Sequence, residues 1–375
     1  MTLFSRFEVL EDPRDIRGKK YKLIDIIIMT IYGILCGITD FTNIADFMKI
    51  KEDYFTELLG LENGTPSHDC LSDIFARIDS KRFMKIFIEW TKEIVKEKTG
   101  LNISIDGKAV RSAVDKVNGG NIPYIVSAFI GELGISIGQV KVDDKSNEIT
   151  AIPQLLDLLD IKNATITIDA IGTQEEIANK IVEKKGHYVL KVKRNQKELY
   201  RDVKRQFYKF NNLYGNKEIK YDKTIEKDHG RFEVREYFLT YNTNEIKDKE
   251  KWKTVSALAY VRVKTIIGDE VKITDNYYII DYKITLEDLE KSIREHWNIE
   301  CSLHWRLDVI MDEDHSRNRI KNSILNFSTL RKIAFNLASL DNSFGKVPLQ
   351  RKLTRYMLDF SHIERLIFEI IPNVC

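Results

Sequence analysis

A chain of 375 residues is long for a single core, so two or three domains are expected. With 43% hydrophobic and 31% charged residues it is neither disordered nor fibrous, and a net charge of +2 excludes a polycation. Any surface for nucleic acid must come from local segregation of charge.

The N-terminus has no basic stretch followed by an apolar one, so no signal peptide is expected. Residues 23–38 are the longest apolar run, but they include Asp25 and Gly33 and are too short to span a membrane. They predict a buried helix. A second helix is expected over residues 41–48, capped by Asp40 or Thr42. Pro66 and Ser67 open a third, with Leu71, Ile74, Phe75 and Ile78 at helical spacing. A fourth covers residues 80–98, with Phe83, Phe87, Trp90 and Ile94 on one face and Gly100 beyond its end. Residues 1–98 therefore read as a small helical domain, serving either packing and oligomerisation or DNA binding. Cys36, Cys70, Cys301 and Cys375 form neither a zinc spacing nor a disulfide framework, which fits a reducing cytoplasm.

Residues 101–200 alternate between strand and helix. Strands are predicted at 101–106, 122–130, 135–142, 164–169 and 187–192, and helices at 149–159 and 173–185. Three early strands, then helix, strand, helix and strand, is the order of an RNase H-like α/β sheet. In the first strand Ile103 and Ile105 alternate with Ser104 and Asp106; Asp106 ends it and Gly107 turns the chain away. In the fourth, Ile166 and Ile168 alternate with Thr165 and Thr167, and Asp169 ends it. A strand-end Asp is a common turn or cap residue. Two strands each tipped by an aspartate on the non-isoleucine face also read as two halves of a carboxylate site, since ligand sites in open α/β sheets gather at the carboxyl ends of strands.

Residues 180–209 are basic. Lys180, Lys184, Lys185, Lys191, Lys193, Arg194, Lys197, Arg201, Lys204, Arg205 and Lys209 face only Glu183, Glu198 and Asp202. Tyr188, Tyr200, Phe207 and Tyr208 are interleaved. The pattern suits either phosphate contact or a solvated helix face. Residues 218–282 turn strand-like, which predicts a β-rich insertion at about 210–282 in a domain running from 99 to 375. From Thr285, whose pairing with Asp288 predicts a capping box, the chain is helical again. Leu286, Leu289, Ile293, Trp297, Leu303 and Leu307 form the apolar stripe, and Glu300 falls on it, with His296 and His304 one turn to either side. A carboxylate there needs a partner, either a metal ion or a buried Arg. Asp308, Asp312, Glu313 and Asp314 are rivals, but consecutive helix positions diverge by about 100°. Salt bridges with the segment His315–Arg319 are expected to neutralise them at the surface. Two aspartates and a glutamate form an all-oxygen set suited to magnesium or manganese rather than zinc.

The motifs together resemble the DDE transposases of bacterial insertion sequences, in the H-repeat-associated branch. Glu11-Asp-Pro-Arg-Asp-Ile-Arg-Gly-Lys-Lys-Tyr21, Cys36-Gly37 and Pro66-Ser-His-Asp69 resemble that branch's N-terminal associated domain. Ile105-Asp-Gly-Lys-Ala-Val-Arg-Ser112 resembles its first-aspartate motif, and Asp169-Ala-Ile-Gly-Thr-Gln174 its second, succeeded by Tyr188-Val-Leu-Lys-Val-Lys-Arg-Asn-Gln196. His229-Gly-Arg-Phe-Glu-Val-Arg235 resembles a motif of its β insertion. Arg294-Glu-His-Trp-Asn-Ile-Glu-Cys-Ser-Leu-His-Trp-Arg-Leu-Asp-Val309, with Glu313, Asp314 and Arg317, resembles its glutamate motif. The branch usually has Asn where Cys301 stands and Gly where Arg194 stands, and the wider superfamily has Tyr and Arg where Ile293 and His296 stand.

The resemblance implies that Asp106, Asp169 and Glu300 carry two Mg2+ or Mn2+ ions. It implies that Lys108, Arg111, His296 and Trp297 lie near DNA; the charge excess of the basic segment adds Lys191, Lys193, Arg194 and Arg201 to the expected DNA contacts, together with Arg317. The implied activity is cleavage of the element's own ends and their joining to target DNA, by a homodimer on paired ends. The protein is expected in the bacterial cytoplasm, nucleoid-associated when bound to DNA. A nuclease without strand transfer and a DNA-binding remnant are the alternatives.

Overall fold

The computed structural model describes residues 3–15, 17, 19–113, 122–142, 147–209, 213–228 and 230–369. Ile16 and Gly18 of the N-terminal motif, His229 of the β-insertion motif, and Cys375 lie outside them. Six helices come first among these residues: α1 (Leu3–Phe7), α2 (Leu23–Leu35), α3 (Phe41–Ile50), α4 (Glu52–Leu59), α5 (His68–Arg77) and α6 (Ser80–Val95). Then come β1 (Asn102–Ala109), β2 (Tyr124–Ile130), β3 (Ile135–Lys141), α7 (Glu148–Leu158), β4 (Thr165–Ile168), α8 (Glu175–Glu183), β5 (His187–Val192) and α9 (Lys197–Tyr208). Four longer strands come next, β6 (Lys220–Asp228), β7 (Arg231–Thr240), β8 (Ala257–Ile267) and β9 (Glu270–Ile280). The C-terminal part holds α10 (Leu286–Asn298), a π-helical turn (Ile299–His304), α11 (Trp305–Val309), α12 (Ser323–Leu340), α13 (Leu349–Leu358) and α14 (Ser361–Glu364). The architecture is mixed α/β with a large sheet. Two compact units arise: Met1–Lys98 with Gly107–Asn147 and Ile299–Cys375, and Thr99–Asp106 with Glu148–Asn298.

In the first unit, α2 is buried along nearly its whole length, as its composition predicts. Local chemistry sets the helix starts. Asp40 accepts Asn43 N at 2.9 Å, Ser67 accepts Cys70 N at 3.3 Å, and Asp79 accepts Lys81 N at 2.8 Å. Helix α4 has no counterpart among the sequence expectations; only Phe55 on it is buried, so no stripe marks it. Phe41 stacks on Phe75 and meets Phe327 edge-on. Helix α12 is buried on all sides, polar residues included, because those residues saturate backbone groups that would otherwise be orphaned. Asn326 donates to Phe75 O and Ile78 O, and Asn336 exchanges two hydrogen bonds with the backbone of Ser136 on β3. The strands predicted at 122–130 and 135–142, β2 and β3, form a hairpin, turning at Gly134 with φ +65°.

In the second unit the strand order is β1-β4-β5-β9-β8-β7-β6. Strands β1, β4 and β5 are parallel, with Ile103 level with Ile166 and Ile105 with Ile168. β9 joins antiparallel to β5, and β6 to β9 form an antiparallel meander, the β-rich segment expected from its Val, Ile, Thr and Tyr content. Thr285 and Asp288 make the expected capping bonds at the start of α10. Leu289 is fully buried on the sheet, with Leu286 and Ile293 packed around it. Burying such a side chain contributes about 1.5–3 kcal/mol. The apolar stripe stops there: Trp297 is 60% exposed, not core as the spacing predicts.

Candidate active site

Strands β1 and β4 bring Asp106 and Asp169 together. The last paired residues are Ile105 and Ile168, so the aspartates immediately after them follow two adjacent parallel strands at the same level. β1 does not end at Asp106. It continues to Ala109, because Gly107 is not in the left-handed region and stays extended. β4 does end before Asp169, whose carboxylate caps a short turn by accepting Ile171 N at 2.9 Å. Gly172 closes that turn, where a Cβ would collide with Ile168 and Ile152.

The loops after β4 and β5 are fastened to one another. Thr173 donates to Lys191 O at 2.6 Å, Gln196 donates to Gln174 Oε1 at 2.8 Å, and Asn195 donates to Ala170 O. The fastening holds Lys193 and Arg194, both exposed, on the loop beside Asp169.

His296 reaches this pair from the last turn of α10. A relay of three hydroxyl and imidazole groups anchors it. Ser104 Oγ donates to Glu295 O at 3.1 Å, and Thr167 Oγ1 donates to Ser104 Oγ at 3.2 Å. Each hydroxyl has one proton, so Thr167 can only accept from His296 Nδ1, at 3.1 Å. The network thereby assigns the Nδ1-protonated tautomer. Burial pushes the His296 pKa down; Asp106 and Asp169 pull it up and Lys191 opposes them. The net shift is downward, so the ring is neutral at pH 7. The same balance places both aspartates within electrostatic reach of one imidazole.

Glu300 belongs to the other compact unit. The stripe expectation fails for it. The π turn widens the helix, Ile299, Leu303 and Leu307 take the buried positions, and Glu300 is exposed. His304 is buried, and Trp305 is 53% exposed. Among the described residues, no group of three or more His, Cys, Asp or Glu side chains is gathered closely enough to hold a metal ion. The donor chemistry nevertheless fits a hard divalent cation, since two carboxylates level on adjacent strands offer only oxygen.

The remaining sequence candidates fall into three groups. Arg111, Lys193, Arg194, Arg201, Trp297 and Arg317 are exposed, and Lys191 is half-buried. Arg201 pairs with Glu198 at 2.6 Å. Part of the basic excess is neutralised internally, because Arg205 pairs with buried Asp202, and Lys209 with Glu245. Tyr188 and Phe207 are core residues rather than surface aromatics. Lys108 is largely buried and paired with Asp308 and Glu313. The expected surface neutralisation of the acids holds for Asp312, which pairs with His315 at 2.5 Å, but not for Glu313, which is 2% exposed. Sequence reasoning missed this pairing and the hydroxyl relay. The one signal for the relay was Ser104 and Thr167 recurring on the polar face of two isoleucine strands.

Comparison with known proteins adds the family. The family described as Transposase DDE domain matches residues 122–337, over half of the chain, a span that holds Asp169 and Glu300 and begins after Asp106. The family described as DDE_Tnp_1-associated matches residues 4–91. YncI of Escherichia coli O157:H7, named as a transposase, is 37% identical over 370 residues, covering 98% of this chain and 94% of its own. YhhI of Escherichia coli K12, named as an H repeat-associated transposase, is 35% identical over 366 residues, covering 96% of each. A cryo-EM structure of a piggyBac transposase synaptic complex with hairpin DNA aligns with 100% of this chain and 85% of its own at 12% identity and a TM-score of 0.42, too distant to bear on the reading. No helix among the described residues is long and apolar enough to cross a membrane. Transposase DDE domains use divalent metal ions. By the family match and by relatives that align with almost its whole length, the chain belongs to the DDE transposases, in the H repeat-associated branch, and is a DNA transposase.

Proposed function

We propose that this transposase cuts the ends of its own insertion sequence and joins them to target DNA. The observation that carries the reading is the level placement of Asp106 and Asp169 on adjacent parallel strands, with neutral His296 anchored beside them. The fold is then an RNase H-like core over residues 99–375, interrupted by the β-rich insertion at about 210–282 and preceded by the helical domain 1–98.

Asp106, Asp169 and Glu300 would hold two magnesium or manganese ions. When bound, these ions activate the attacking oxygen and neutralise charge on the phosphodiester. A neutral His296 leaves the carboxylate charge undiminished for the cations. In the first step a water oxygen bonds to phosphorus at the element end, the P–O3′ bond breaks, and O3′ takes a proton. In the second, that 3′ hydroxyl bonds to a target phosphorus and displaces the target's own O3′. Arg111, Lys191, Lys193, Arg194, Arg201 and Arg317 bind phosphates, while His296 and Trp297 lie against the DNA end. A homodimer joins both ends, acting in the cytoplasm and associated with the nucleoid when bound to DNA.

The test is a supercoiled plasmid carrying the element's inverted ends, incubated with magnesium or with EDTA. Nicking at the ends, and then strand transfer, is expected only with metal. Nicking without transfer would reduce the protein to a nuclease. Binding without either would reduce it to a remnant.

A further inference from the structure

Lys108 stands two residues after Asp106 on β1, while Asp308 and Glu313 stand eight and thirteen residues after Glu300. These three side chains meet. The Lys108 ammonium pairs with Asp308 and lies 2.7 Å from Glu313 Oε2. The Lys108 side chain is 10% exposed and that of Glu313 is 2% exposed. Glu313 Oε1 accepts the Ser328 hydroxyl at 2.7 Å. Behind it, Lys332 donates to Gln139 Oε1, and Arg331 donates to Met311 O at 3.2 Å and Thr39 O at 2.9 Å. Burial alone would raise the Glu313 carboxyl, but Lys108, then Lys332 and Arg331, hold it well below the usual carboxylate range. The carboxylate is therefore ionised throughout the working pH range.

A buried ion cluster gives little stability beyond what packed apolar side chains would give. What it does give is a fixed geometry. The ammonium meets both carboxylates at once. A phosphate could recruit it only by taking away the salt bridge of buried Glu313, whose other oxygen keeps the Ser328 hydroxyl. We propose that Lys108 is a positioning residue: by clamping Asp308 and Glu313 it fixes the helical segment bearing Glu300 to the stretch of β1 just beyond Asp106. The inference rests on the proposed metal-binding role of Asp106 and Glu300. It takes Lys108 out of the DNA-contacting set.

The experiment compares the wild-type protein with Lys108→Met and with Lys108→Met/Glu313→Gln, which removes the stranded carboxylate charge. Amide hydrogen exchange over residues 299–309 is read in metal-free full-length protein. Affinity for end DNA is read against salt, and nicking is read with magnesium. The double variant is expected to regain the melting temperature lost by the single one. Its exchange over 299–309 should still be about tenfold faster, and its nicking about a hundredfold slower, the cost of a misplacement near 1 Å. Its salt slope should equal that of the wild type. Unchanged exchange in both variants, or nicking restored together with stability, would overturn the clamp. A slope lowered by just under one unit would make Lys108 a phosphate contact and overturn it as well. If the wild-type protein fails to nick at all, the proposed chemistry falls, while the exchange measurement still decides whether the clamp exists.

Discussion

Thr167→Val tests the relay that holds His296. Valine has nearly the shape of threonine, so the change opens no cavity and removes only the hydroxyl. Thr167 is 2% exposed, and its oxygen both donates to Ser104 Oγ at 3.2 Å and accepts from His296 Nδ1 at 3.1 Å. Ser104 keeps its bond to Glu295 O, so the principal loss is the acceptor for the imidazole proton. Leaving one such donor unpaired costs about 1–3 kcal/mol. The ring can recover part of that by moving its proton to Nε2. That would move the proton within the electrostatic reach of Asp106 and Asp169, the carboxylates that are to hold the cations. Urea unfolding should register the loss of stability, and nitrogen chemical shifts of the ring should report the change of tautomer. Half-maximal nicking should require several-fold more magnesium. A variant with wild-type stability, the same tautomer and the same magnesium requirement would refute the reasoning.

Asp106→Asn, Asp169→Asn and Glu300→Gln should each abolish end nicking while leaving affinity for end DNA largely intact; full cleavage by the Asp106 variant would remove it from the site. For Lys193, Arg194 and Arg201, all exposed, each alanine replacement should flatten the plot of log affinity against log salt by just under one unit. An unchanged slope in the triple variant would leave them a solvated face. Burial pushes Lys332 down to about 8, against about 10.4 when unfolded. Between those values only the unfolded chain keeps the proton, so the contribution of Lys332 to stability rises with pH there and is lost as pH falls through about 8. Chemical denaturation from pH 7.5 to 10 should show that rise relative to Lys332→Met, and parallel profiles would refute it.

Local chemistry explains why some elements are readable from sequence. Alternating isoleucines mark β1 and β4, and each strand exposes its period directly in the sequence. The caps at Ser67 and Thr285 act within three residues, so they too are legible. Misreadings arise where distant residues decide the outcome. Lys108 resembles a free cation in sequence because Asp308 and Glu313, its partners, are some 200 residues away. Glu313 resembles a surface acid for the same reason. Glu300 falls on the buried stripe only if regular α-helical spacing runs through a segment that in fact widens into a π turn.

That π turn makes the direction of one carboxylate a matter of counting. A wider turn accommodates a surplus residue without disturbing the side chains packed on either side. Ile299, Leu303 and Leu307 hold the segment to its core, and Glu300 points away from them because of the wider turn. Removing a single residue between 301 and 304 would tighten the turn to ordinary α geometry and change the direction of Glu300 relative to Ile299 and Leu303. The apolar anchors could keep their partners, but the carboxylate would lose its direction. Length variation, harmless in the loops joining the insertion strands, should therefore be barred from these six residues.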